Sequence, residues 1–184
     1  MTIETSRLLL RPFTMDDADD VFDYAKHPEV GPRCGWPPHE NREVSVQILS
    51  EHLIPDNGEE SFAIVVKATG KVIGSIGVKT MAEPCLDFPL PYCEIGYALH
   101  ADYWGKGLIP EATKAIIDMV FSAGDVEEIY ISHADFNQQS RRVIEKCGFQ
   151  KIAETERYMP AIDVRRMSWY YRLRHSDWQG VDAI

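Results

Sequence analysis

The stretch RLLLRPF, at 7–13, is short, apolar and rich in strand formers, and it predicts a strand. The period then changes. In TMDDADDVFDYAKH, Thr14 suits an N-cap, acids fill the first turn, and Val21, Phe22 and Ala25 form a helical stripe. Prolines and glycines break any period over 28–41, which predicts a loop. Val44, Ile48 and Leu53 recur at helical spacing within 43–54. Two strands, 62–66 and 72–78, flank the turn ATGK, and a third covers 92–99. A helix at 107–122 turns Ala112, Ala115, Ile116, Met119 and Val120 inward, with Gly124 as its C-cap. A strand at 128–132, a helix at 137–147 closed by Gly148, and two strands at 149–158 and 164–173 complete the order. Antiparallel strands, then a strand–helix–strand–helix unit, then a hairpin make an α/β (α+β) domain around one sheet.

The 184 residues suit one domain with a sizeable core. No apolar run is long enough to span a bilayer, and the N-terminal stretch lacks the basic and apolar regions of a signal peptide, so a cytoplasmic location is expected. Four cysteines without a CxxC pair argue against a zinc ribbon or a disulfide framework; no metal is expected. A net charge of -10 disfavours nucleic acid as a partner and suits a cationic one. Neither a membrane nor a nucleic acid is expected as a partner.

The segment YWGKGLIPEA sits where the third strand runs into the long helix. A glycine-rich turn there presents backbone N–H groups and the positive end of the helix dipole, a geometry that holds phosphate or pyrophosphate. Gly105 and Gly107 let the backbone approach an anion, Lys106 can add charge, and Pro110 fits the first turn. A plain strand–helix turn using glycine for its dihedrals satisfies the same letters. The Walker A loop is excluded, and the dinucleotide fingerprint lacks its third glycine.

A second segment, NQQSRRVIEKCGF, places Asn137 at an N-cap and Ser140 at N3. With YWGKGLIPEA it resembles the Gcn5-related N-acetyltransferase (GNAT) family, and the likeness extends over nearly the whole chain. TSRLLLRPF, VIGSIGV and EIGYALHADYWGKG are similar to the branch that contains the ribosomal-protein N-terminal acetyltransferases. The resemblance implies a single domain over 1–184, with a core at about 5–174 and a tail at 175–184. It implies about seven strands, about four helices and two parallel strands that splay apart around acetyl-CoA. It places the pyrophosphate on Gly105, Lys106, Gly107, Leu108 and Ile109, the pantetheine arm on the Leu99 backbone, and further contacts on Asn137 and Arg141. Asn137 as a cap alone also satisfies the sequence. Trp104 stands where the family usually has Gln or Arg, and Ile109 where it has Gly or Ala.

The implied reaction moves an acetyl group to a primary amine. The amine must lose a proton, charge building on the carbonyl oxygen needs donors, and the departing thiolate can take a proton. A tyrosine that serves as acid in much of the family is here Ile144; the branch resemblance points to Ser140 instead. Glu94, at the start of a cleft strand and on one face with Gly96 and Ala98, is the candidate base, with His133 and Asp135 behind it and His100 as a loop residue. Trp36 reads as an anchor or a substrate contact, and Glu83, Asp87 and PLPY as part of the pocket rim. The acceptor is a small amine or a protein N-terminus; a homodimer is implied by resemblance alone. The alternative is a catalytically weak CoA-binding module.

Overall fold

The computed structural model describes residues 1–54, 59–81 and 92–180. Among these residues eight strands form one sheet: β1 (Ile3–Glu4), β2 (Leu8–Pro12), β3 (Glu59–Val66), β4 (Val72–Met81), β5 (Tyr92–Leu99), β6 (Glu128–Ala134), β7 (Gln150–Met159) and β8 (Val164–Arg174). Their order is β1-β2-β3-β4-β5-β6-β8-β7. All neighbours are antiparallel except β5 and β6, so the α/β (α+β) expectation holds with one strand more than expected.

Among the described residues five helices cover the sheet: α1 (Ala18–Ala25), α2 (Val30–Cys34), α3 (Arg42–Ile48), α4 (Leu108–Ala123) and α5 (Gln138–Lys146). Buried Leu10, Ile64, Ile76, Ile95 and Ile129 pack with Ile116 of α4 and Ile144 of α5 on one face. Phe13, Val21, Tyr24, Val30, Leu49 and Val65 form a second core on the other. The sheet is thereby buried on both sides, the layered solution that such elements favour. Among the described residues no helix is long and apolar enough to cross a membrane.

Helix α2 lies inside the stretch expected to be a loop. Pro32 falls in its first turn, where a missing N–H breaks no helical bond, and Gly35 ends it at φ 89°. The expected helix at 43–54 is α3 followed by a π turn, Leu49–Leu53. Strand β6 runs on to Ala134, so His133 lies within it. Residues 175–180 pack against α4: His175 stacks on Phe121 at 4.7 Å, and Trp178 donates its indole N–H to Asp118 at 2.6 Å. The expected pocket-rim residues Glu83, Asp87 and the start of PLPY lie outside the described residues.

Candidate active site

Strands β5 and β6 pair only at Cys93–Ile129 and Glu94–Tyr130. Beyond Glu94 the two strands diverge, and their facing N–H and C=O groups leave the ladder. Two cavities open in that gap. One, of about 250 Å³, runs along the C-terminal half of β5, the Gly-Lys-Gly turn and α5. The other, of about 180 Å³, lies against Glu94, Gly96, Ser132 and Ser168. Arg33, Cys34, Tyr97, Asn137 and Ser140 border both, so the two cavities meet at these five residues.

The turn is shaped by its glycines. Gly105 and Gly107 adopt φ 76° and 74°, a left-handed conformation that side chains with a Cβ rarely take. Gly107 is the N-cap of α4. Gly105, Gly107, Leu108 and Ile109 line the larger cavity, while the Ile109 side chain is buried in the core and does not obstruct the turn. Lys106 does not line it; its ammonium sits over the Tyr103 ring at 4.9 Å. The turn is pinned by Arg7, which sequence reasoning did not single out. Its guanidinium donates to the carbonyls of Lys106 and Gly107 at 2.9 and 3.2 Å and to Glu111 at 2.7 Å.

Trp104 gives the departure from the family pattern a physical role. Its indole N–H donates to the Leu99 carbonyl at 2.9 Å, tying the turn to the end of β5. That carbonyl retains one lone pair for a ligand. Asn137 caps α5 by accepting from the Ser140 N–H at 3.2 Å, and its amide donates to the Arg33 carbonyl at 3.5 Å. Arg141 does not line either cavity: it pairs with Glu145 at 2.7 Å and lies over Trp169. Arg142 and Lys146 line the larger cavity instead, and neither has an acidic partner among the described residues. The helical period carries the reason. Gln139, Arg142 and Lys146 fall on one face, whereas Arg141 and Glu145 form an i,i+4 pair on another.

Ser140 is buried, and its hydroxyl stands 2.8 Å from the Tyr97 hydroxyl. Burial pushes the Tyr97 phenol up, more than the Ser140 hydrogen bond pulls it down, so Tyr97 keeps its proton at neutral pH. Glu94 is half-buried in the smaller cavity and accepts from the Ser132 hydroxyl at 2.7 Å. His133 is committed elsewhere. Its Nδ1–H donates to the Ala134 carbonyl at 2.7 Å, and its Nε2 accepts from Tyr171 at 3.0 Å. Burial lowers its pKa, so the ring is neutral. Asp135 is exposed and lines neither cavity, and His100 lies apart beside Asp23 and Asp102. Ile144, at the family's tyrosine position, is fully buried core. Trp36 packs on the second core. Among the described residues no three His, Cys, Asp or Glu side chains are grouped to hold a metal ion.

A profile of the acetyltransferase (GNAT) domain matches residues 7–150. The uncharacterized N-acetyltransferase p20 of Bacillus licheniformis is 30% identical over 153 residues, 82% of this chain and 83% of its own. A GNAT-family acetyltransferase from Bacillus anthracis superposes with a TM-score of 0.81 at 22% identity, over 96% of this chain and 99% of its own. Ribosomal-protein-S5-alanine acetyltransferase from Vibrio fischeri does so with a TM-score of 0.71 at 22% identity, over 97% and 99%. The splayed pair, the glycine turn at its mouth and these matches together place the chain in the GNAT family of acetyl-CoA-dependent N-acetyltransferases.

Proposed function

We propose that the chain acetylates the primary amine of a small molecule held in the cavity beside Glu94. The observation that carries this reading is the meeting of the two cavities at Tyr97, Asn137 and Ser140, with Glu94 the one carboxylate on the acceptor side among the described residues. The residues present fit acetyl-CoA. The left-handed glycines leave the turn without side chains where an anion approaches, and unpaired Arg142 and Lys146 stand ready for phosphate charge. When bound, acetyl-CoA supplies the acetyl group as a thioester. The N–H groups at 105–109 would hold its pyrophosphate, and the amide of Asn137 and the free edge of β5 would hold the pantetheine arm.

Glu94 takes the proton of the acceptor ammonium, directly or through water, with Ser132 holding its carboxylate in place. With the Tyr97 O–H as donor in its pair with Ser140 Oγ, the Ser140 hydrogen would be free to reach the sulfur. N–H groups on β5 beyond its pairing with β6 would donate to the carbonyl oxygen as charge develops there.

The test is thiol release from acetyl-CoA with a panel of small amines and N-terminal peptides, run on the parent and on Glu94→Gln. Release is expected to require an amine, to favour a small molecule over a peptide, and to fall by ~10²–10⁴-fold in Glu94→Gln at neutral pH. Raising the pH is expected to restore part of the rate, because more acceptor is then already neutral. Release indifferent to the amine, or unchanged in Glu94→Gln, would refute the assignment. Exclusive use of peptides would move the acceptor to a protein N-terminus; the Vibrio fischeri enzyme is itself named for an alanine of ribosomal protein S5.

A further inference from the structure

The acceptor cavity is not acidic, despite the chain's net charge of -10. Among the described residues it is lined by two guanidiniums, Arg33 and Arg157, and by a single carboxylate, Glu94; its histidine is neutral. Arg33 is engaged, donating to Glu29 at 3.1 Å and lying over Trp104. Arg157 is not: among the described residues its side chain has no hydrogen bond and no ion pair. Its cross-strand partner is Arg166, on the same face of the β7–β8 ladder. Like charges directly opposite each other on a sheet destabilise it, and no carboxylate offsets this pair among the described residues.

Register fixes where Arg157 stands relative to Glu94. Tyr130 pairs with Glu94, Ala134 with Ser168, Ser168 with Thr155, and Arg166 with Arg157. Side chains alternate with a period of two, so Glu94, Ser132, Ser168 and Arg157 share one face. From β5 to β7 is three strand spacings, about 14 Å, and Arg157 also stands further along the strands, since Tyr130 is level with Arg172 whereas Arg157 pairs with Arg166, six residues away; the two long side chains therefore border the cavity from opposite ends. Between them the floor is small and polar: Gly96, where an added Cβ would meet no atom within 4 Å, and Ser132 and Ser168. A cavity of about 180 Å³ is a little larger than one that takes benzene, the size of an amino acid rather than of a peptide.

We propose that the acceptor is a small zwitterion, an aliphatic amine carrying a carboxylate or phosphonate, whose ammonium faces Glu94 and whose anion pairs with Arg157. This rests on the small-amine reading above and narrows it. Arg157 is then a specificity-determining residue: it contacts the far end of the acceptor and takes no part in proton transfer. A guanidinium fork suits both anions, since it offers two parallel donors to either.

The experiment compares aminocarboxylates and aminophosphonates with matched neutral amines, with putrescine and with peptides whose second residue is acidic. It uses the parent, Arg157→Ala and Arg157→Glu. Two readouts run side by side: thiol release, and calorimetric binding of each compound to the CoA-loaded protein, which needs no turnover. The parent is expected to prefer the anionic amines over their neutral counterparts. Arg157→Ala is expected to raise KM and Kd for them by about 10- to 100-fold, collapsing that preference, and Arg157→Glu to shift it toward putrescine. Carboxylates and phosphonates separate by which of the two carries the larger loss. Putrescine bound as well as the zwitterions by the parent, a preference that survives in Arg157→Ala, or acidic peptides preferred over every small zwitterion would overturn the proposal. Binding that follows Arg157 without any thiol release would support the pairing of the anion with Arg157 while overturning these amines as acceptors.

Discussion

Ser140 and Tyr97 share the hydrogen bond on which the acid role turns, two hydroxyls 2.8 Å apart in a buried corner of the cleft. Ser140→Ala is expected to lower single-turnover rate by ~10–10³-fold, at or somewhat below the usual range for acid catalysis because a thiolate is already a fair leaving group. Tyr97→Phe is expected to cost less, and the double variant to cost less than the sum, since both act through one proton. If Ser140→Ala instead weakens acetyl-CoA binding and keeps its rate at saturation, Ser140 only binds. Asn137 and Ser140 were legible in the sequence because capping is local: the N-cap oxygen and the N3 amide lie three residues apart. Tyr97 was not, because its partner is 43 residues away. Arg142 was legible in principle from the 100° turn per residue that separates it from Arg141, and motif matching alone missed it.

At the level of elements, the junction between β5 and α4 is held by a residue from β2's own approach. Arg7 bridges the turn's two carbonyls and Glu111, which also accepts from the Thr5 hydroxyl at 2.6 Å. With Arg7 about half exposed, its ion pair adds little to stability; its effect lies in ordering the turn before a ligand arrives. Arg7→Ala is therefore expected to weaken acetyl-CoA binding about tenfold, the scale of the ordering cost that preorganisation removes, with a small change in Tm. Unchanged affinity would leave Arg7 without that role. Between β6 and β8, neutral His133 adds a pH dependence. Burial holds its pKa below the ordinary value, so the unfolded chain binds the proton more readily. Stability is therefore full above about pH 6.5 and declines as pH falls below it. Urea midpoints are expected to drop between pH 7 and 5.5 in the parent and to flatten in His133→Gln; equal slopes would contradict this. Most elements were legible from period and turn chemistry. Helix α2 was hidden because a first-turn proline looks like a breaker; the splay came from the family resemblance and not from the local pattern, because two paired positions out of a whole strand leave no local signature.

Over the whole molecule, the sheet supplies rigidity and its one parallel seam supplies the site. The net charge of -10 spoke for a cationic partner, yet the acceptor cavity holds two guanidiniums against one carboxylate. Net charge describes the surface and says little about a single cavity. The expected tail is, over 175–180, a clasp on α4 whose contacts run from Trp178 to Asp118 and could not be read from a short polar segment. The claim on which the rest depends is that acetyl-CoA seats its pyrophosphate on the turn between β5 and α4. Calorimetric titration of acetyl-CoA into the parent and into Gly107→Val, with circular dichroism to establish that the variant is folded, tests it most directly. At φ 74° a β-branched residue can neither keep the turn's conformation cheaply nor leave its N–H groups open. The parent is expected to bind one equivalent and the folded variant none; a parent that does not bind, or a variant that binds as the parent does, would contradict the account.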